Sequence, residues 1–116
     1  MYKNSMLPKD TFKDKVILIT GGGTGLGKSI GHYLLQLGGS LIITSRKKEV
    51  LDNTKDEFNK EFPEKTLALP GDVRNISDVE NVINEGIKHF GKIDCLLNNA
   101  AGNFISPTER LSSKAF

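Results

Sequence analysis

Apolar positions along the chain follow two rhythms that take turns. Short, largely β-branched runs occur at Lys15–Thr20 (KVILIT), Ser40–Thr44 (SLIIT), Thr66–Leu69 (TLAL) and Ile93–Leu97 (IDCLL). They are too short for helices and too apolar for a solvent face, the pattern of buried parallel strands. Between them the spacing changes to that of helices with one apolar stripe. The stripes are Ile30, Tyr33, Leu34 and Leu37; then Val50, Leu51, Thr54, Phe58 and Phe62; then Val79, Val82, Ile83, Ile87 and Phe90. Gly38-Gly39 stops the first helix, and the second, Arg46–Glu61, ends before Pro63. Ser77 is the expected N-cap of the third, with Asp78 and Glu80 in its first turn, Lys88 and His89 near its negative end and Gly91 as its stop.

Strands and helices in strict alternation, with short connections, predict an α/β fold with a doubly wound parallel sheet. Right-handed crossovers give the strand order 3-2-1-4. The first two helices then cover one face and the third the other. Residues 1–13 are polar, contain Pro8 and read as an arm, leaving 14–116 as the folded unit. Asn98–Leu111 is expected to be irregular, and Ser112–Phe116 to open a further helix. On this reading the fourth strand presents an unpaired apolar edge.

The first chemistry lies at the first strand-to-helix turn, Thr20–Gly27, which reads TGGGTGLG. Backbone N–H groups at such a turn and the positive end of the helix dipole both favour an anion. Glycines let the backbone approach a pyrophosphate that side chains would block. The strict GxGxxG spacing fails at Leu26, whereas TGxxxGxG is met by Thr20, Gly21, Gly25 and Gly27. In a sheet of this order the crevice for ligands lies between the first and fourth strands, where TGGGTGLG and Asn98–Gly102 both emerge.

Bulk composition narrows the class. With 116 residues the chain is one domain at most, and 37% hydrophobic with 26% charged residues fits a soluble globular protein. A net charge of +2 is too mild to argue for nucleic acid. Cys95 is the only cysteine, so no intrachain disulfide is possible and a reducing compartment is expected. No apolar run approaches a membrane span. Residues 1–14 have no apolar stretch and no arginine, unlike a presequence. The expected location is cytoplasmic, or mitochondrial if a leader precedes Met1.

The TGxxxGxG spacing resembles the short-chain dehydrogenase/reductase family. Members selective for NAD carry an acidic residue near the end of the second strand. Here Ile43–Lys47 (ITSRK) has no carboxylate. Arg46 can instead pair with a 2′-phosphate, helped by the Ser45 hydroxyl, so NADP(H) is the expected cofactor. The alternative is a solvated start to a basic helix. In the family an aspartate placed like Asp72 accepts from the adenine amino group while a residue placed like Val73 packs beside the ring. Asp72 also suits an Asx-type turn after Pro70-Gly71, and both readings can hold together.

The run Asn98–Phe104 (NNAAGNF) narrows the resemblance. With TGGGTGLGK upstream and AAGNFISPTERLS downstream, residues from about 7 to 116 resemble the NADPH-dependent 2,4-dienoyl-CoA reductases of the mitochondrial type. The resemblance implies that Gly21, Gly22, Gly23, Thr24, Gly25, Leu26, Gly27, Ser45, Arg46, Asp72, Val73, Asn99 and Ala100 hold the cofactor. Asn103 would donate to the thioester carbonyl as negative charge develops there, though loop asparagines are common turn formers. Arg46, Arg74, Phe104 and Ser112 match acyl-CoA contacts. Phe104 is equally a core residue by its type, and Arg74 equally a surface charge. The implied reaction delivers hydride to the δ-carbon of a 2,4-dienoyl-CoA and protonates the α-carbon, giving a 3-enoyl-CoA in β-oxidation of unsaturated fatty acids. The full-length enzyme is expected to be a homo-oligomer, with no nucleic acid or membrane partner.

One departure bears on activity. The family's acid system is a tyrosine with a lysine four residues on. Tyr2 and Tyr33 are followed at that distance by Met6 and Leu37. The expectation is a cofactor half, truncated before the YxxxK helix and inactive alone. The alternatives are another short-chain carbonyl reductase, such as one acting on a 3-oxoacyl thioester, and a non-catalytic nucleotide-binding module. His32 and His89 are expected to be structural, His32 on the polar side of its helix. Cys95 is expected to act as a small apolar residue. No metal-ligand spacing is present.

Overall fold

The computed structural model describes residues 8–21, 25–98 and, as backbone, 105–107. Its elements are β1 (Val16–Thr20), α1 (Gly25–Gln36), β2 (Ser40–Ser45), α2 (Lys48–Glu61), β3 (Thr66–Pro70), α3 (Ile76–Phe90), β4 (Cys95–Asn98) and β5 (Ile105–Pro107). The sheet order is β3-β2-β1-β4-β5, so the expected 3-2-1-4 arrangement is present. Its three internal pairings are parallel, while β5 runs antiparallel to β4.

Alternation along the strands sorts the core into two clusters. Ile17, Ile19, Leu41, Ile43 and Leu97 face α1 and α2, where Leu35, Leu51 and Phe58 close over them. Val16, Leu18, Ile42 and Leu96 face the other way and meet Val82 of α3. All five residues of β1 are buried, as a strand with neighbours on both edges and helices on both faces must be.

Several expected boundaries move, each for a local reason. Asn75, not Ser77, is the N-cap of α3: its side chain accepts from the Asp78 N–H at 3.2 Å, and Ser77 lies inside the helix. The turn closed by Asn75 N–H donating to the Asp72 carbonyl at 2.9 Å delivers Asn75 to that position. Arg46 and Lys47 precede α2 rather than opening it. The Lys47 N–H donates to Ser45 Oγ at 3.1 Å, a local turn that delays the helix to Lys48. β4 starts at Cys95 because the Asp94 carboxylate accepts the Val16 N–H at 2.8 Å, replacing a ladder bond with a side chain.

The stretch expected to be irregular contains β5, which pairs Ile105, Ser106 and Pro107 with Leu97, Leu96 and Cys95. The β4 edge is therefore covered along those residues rather than unpaired. Ile87, expected in the apolar stripe of α3, is 44% exposed. In its place Gly86 makes the close approach: a Cβ there would stand 2.4 Å from Ile42 Cδ1.

His32 stands beside Lys28, Ser29, Glu57 and Glu61. It is half-buried in the seam between α1 and α2, edge-on to Phe62, with Nε2 3.3 Å from both carboxylate oxygens of Glu61. Lys28 and Glu57 pair one turn away in the same seam. Cys95 packs against the cluster under α1 and α2, and burial, aided by the Asp94 carboxylate, pushes its thiol up from the ordinary value.

Candidate functional site

The carboxyl ends of four parallel strands finish side by side, and the registers fix which residues meet there. Thr20 sits opposite Thr44 on one side and Asn98 on the other. The Thr20 hydroxyl donates to Asn98 Oδ1 at 2.8 Å in a buried bond that ties β1 to β4 at the expected crevice. The Gly21 N–H donates to the Thr44 carbonyl at 2.8 Å, and the Gly71 N–H to the Ser45 carbonyl at 2.9 Å. Both loops thus leave the sheet from pinned positions.

Glycine is needed at two of these points. Gly21 has φ +67° and Gly25 has φ +59°, in the left-handed region that side chains disfavour. A Cβ at Gly25 would meet nothing within 4 Å among the described residues. The first turn of α1 carries no acidic residue to offset its positive end. These features suit an anion held against backbone.

Beyond β2 and β3 lies a small cleft of ≈ 10 Å³, about the room of one water. Leu18, Val73, Val79 and Val82 give it apolar walls, and Thr44 and Gly71 also line it. The Asp72 carboxylate is held by Arg74, which donates from its backbone N–H and Nε to Oδ1 at 2.9 and 3.2 Å and from Nη2 to Oδ2 at 3.1 Å. This grip holds Asp72 below the ordinary aspartate value, with a further small push from the charge of Arg46, and raises Arg74 in turn. Asp78 supports the loop by accepting the Asp72 N–H at 2.9 Å. Arg46 is exposed at the end of β2, close enough for its charge to reach Asp72.

The structure therefore gathers Gly21, Gly25, Ser45, Arg46, Asp72, Val73 and Arg74 along one end of the sheet. Leu26 is also at the start of α1 but 52% exposed, and Gly27 is buried in the first turn. The expectations for Gly22, Gly23, Thr24, Asn99, Ala100, Asn103, Phe104 and Ser112 lie outside the described residues. Sequence reasoning missed the Thr20–Asn98 bond, the Asp78 support and the Thr44–Gly71 floor. The available signal was the polar residue that ends β1, β2 and β4, each otherwise largely apolar.

A dinucleotide fits the chemistry of the residues present: glycines with positive φ at a helix start that carries no acidic residue, an arginine beyond β2, and an aspartate and a valine beyond β3. Among the described residues no group of His, Cys, Asp or Glu could hold a metal ion. None of the described helices is long and apolar enough to cross a membrane.

Comparison with known proteins agrees with this geometry. A probable 2,4-dienoyl-CoA reductase, (2E)-enoyl-CoA-producing, of Bacillus subtilis (strain 168) is 41% identical over 98 residues, covering 84% of this chain and 38% of the relative. A peroxisomal 2,4-dienoyl-CoA reductase, (3E)-enoyl-CoA-producing, of Arabidopsis thaliana is 38% identical over 113 residues, 97% of this chain and 38% of the relative. The crystal structure of a short chain dehydrogenase from Bacillus anthracis str. 'Ames Ancestor' superposes with a TM-score of 0.71 at 44% identity, covering 85% of this chain and 40% of that one. The chain thus spans well under half the length of these relatives. The family model for short chain dehydrogenase matches residues 15–116, and the chain belongs to that family.

Proposed function

We propose that this chain is the cofactor-binding part of an NADPH-dependent reductase of 2,4-dienoyl-CoA thioesters. The observation that carries the reading is its likeness, over most of its length, to two relatives named for that substrate. When bound, the reduced nicotinamide supplies the hydride. The residues of this chain bind and orient. The turn Gly21–Gly27 would receive the pyrophosphate on its backbone, the Gly21 N–H staying with the Thr44 carbonyl, and Arg46 with the Ser45 hydroxyl would take the 2′-phosphate. Asp72 accepts from the adenine amino group and Val73 flanks the ring, with Asn99 and Ala100 completing the cofactor wall. Asn103 donates to the thioester carbonyl, where charge develops. Arg74 uses only part of its five-donor guanidinium on Asp72, leaving N–H groups for a coenzyme A phosphate. Phe104 and Ser112 line the acyl-CoA path.

The two relatives are named for products that differ in double-bond position, and we assign the 3-enoyl product. The test uses the full-length protein with NADPH and a short 2,4-dienoyl-CoA, following nicotinamide absorbance and resolving the product against 2E and 3E standards. NADPH oxidation with a 3-enoyl product is expected. Faster turnover of a 3-oxoacyl thioester would replace this reading with a carbonyl reductase, and nucleotide binding without turnover of either would favour a binding module.

A further inference from the structure

We propose that Asp78 is a positioning residue for base recognition: by holding the main chain of Asp72, it makes Asp72 accept an amino group and turn away a carbonyl. The inference rests on the reading that Asp72 meets the adenine amino group of NADP(H). Asp78 stands half-buried in the first turn of α3. Its Oδ2 accepts the Asp72 N–H at 2.9 Å, and its own N–H donates to Asn75 Oδ1 at 3.2 Å.

The bond to Asp72 is not one that the helix needs. With Asn75 as the N-cap, Asp78 is the third helical residue, and in a capping box the side chain at that place returns to the N-cap N–H. Here the Asn75 N–H is already taken by the Asp72 carbonyl at 2.9 Å. The Asp78 carboxylate reaches further back instead, to the N–H of Asp72. Asn75 serves the start of α3, and the Asp78 carboxylate serves the loop.

That loop carries a nearly filled carboxylate. The Gly71 N–H is fixed to the Ser45 carbonyl at 2.9 Å, so Asp72 hangs between β2 and α3, with Asp78 as its link to the helix. Oδ1 of Asp72 accepts the Arg74 N–H and Nε, and Oδ2 accepts Arg74 Nη2. Each carboxylate oxygen offers about two acceptor sites, so among the described residues the remaining site is on Oδ2. A single acceptor site on a fixed oxygen suits an amino N–H and repels a carbonyl oxygen. Without the Asp78 bond the loop is free to turn Asp72 toward another donor, and the distinction between the two is lost.

The experiment measures dissociation constants of the full-length protein for NADPH, for its hypoxanthine counterpart and for reduced nicotinamide mononucleotide. Hypoxanthine has a carbonyl oxygen where adenine has the amino group, and a ring N–H one atom along, out of line for a fixed carboxylate. The native protein is expected to favour NADPH roughly ten-fold over the hypoxanthine form. Asp78→Ala should bring that ratio close to unity and leave the mononucleotide unchanged. Asp78→Asn keeps an oxygen acceptor at the same reach and should keep the native ratio. Glu80→Ala, which removes a carboxylate further along α3, should keep it too. A native ratio in Asp78→Ala overturns the positioning role and leaves the Asp72 reading standing. Equal losses for all three ligands overturn it as well, since a merely structural role acts that way, and so does loss of the ratio in Asp78→Asn or Glu80→Ala. If Asp78→Ala does not fold, Asp78→Ser, whose oxygen is one bond nearer the main chain, is read by the same ratio. A native protein with no preference between the two bases overturns the Asp72 reading and this inference with it.

Discussion

Arg46 and Asp72 follow neighbouring strands, close enough for the charge of one to reach the other. Arg46 has no carboxylate within Ile43–Lys47 and projects from the loop between β2 and α2. A charge-assisted bond to a 2′-phosphate contributes about 1.5–3 kcal/mol. Arg46→Ala in the full-length protein should therefore weaken NADPH roughly ten-fold or more and leave NADH nearly unchanged; equal losses would remove it from the 2′-phosphate. Asp72 tests the other charge. Its folded pKa is depressed, first by the Arg74 side-chain bonds and then by the Arg74 N–H. That pairing is present above the unfolded aspartate pKa of about 3.9 and is lost as pH falls through the lower folded value. In Arg74→Ala the Asp72 carboxyl should titrate closer to the ordinary value by NMR, and an unmoved midpoint would refute the pairing. Both residues were legible in the sequence because each follows a readable strand. The Thr20–Asn98 bond was not, since it needs the register of two strands 78 residues apart.

Helices and strands were readable from periodicity, and their ends were not, because ends depend on side-chain-to-backbone bonds that have no period. α3 shows the difference. Ser77 and Asn75 are both acceptable caps by type, and the turn from Asp72 to Asn75 selects Asn75. Asn75→Ala should lower stability by about 1 kcal/mol, whereas Ser77→Ala, inside the helix, should leave it within about 0.5 kcal/mol. Denaturant midpoints of the two variants measure this, and the reverse order would restore Ser77 as the cap. Packing faces show a similar limit. Stripe residues Val79 and Val82 are buried as read, but the tightest approach of α3 to the sheet is at Gly86, where the absent side chain makes room for Ile42. A glycine scores as a weak helix former in a pattern, so its role emerges only once the sheet is beneath it. His32 shows what a polar stripe leaves unsaid: α2 and its C-cap supply Phe58, Glu61 and Phe62 as its particular neighbours.

Across the whole molecule, the order β3-β2-β1-β4 follows from short connections and one handedness rule, so it was within reach of the sequence. β5 was not. Three residues ending in proline carry no period, and their pairing partner is a strand rather than a neighbour in the chain. Proline nevertheless explains the ladder. Antiparallel pairs alternate between bonded and non-bonded positions, and Pro107, opposite Cys95, has no N–H to give. The bonded pair is therefore Ser106 with Leu96, which makes Ser106 the residue of β5 on which the cover of the β4 edge depends among the described residues. Leu96 and Leu97 are both buried on that edge, and an apolar strand with free N–H and C=O groups is a template for a second copy. Ser106→Pro removes the donor. In the 116-residue chain it should shift sedimentation toward species heavier than the native protein's, while Ser106→Ala, which keeps the N–H, should sediment as native. If Ser106→Pro sediments like the native chain, β5 does not guard the edge, and some other segment must be what keeps β4 from pairing with a second copy.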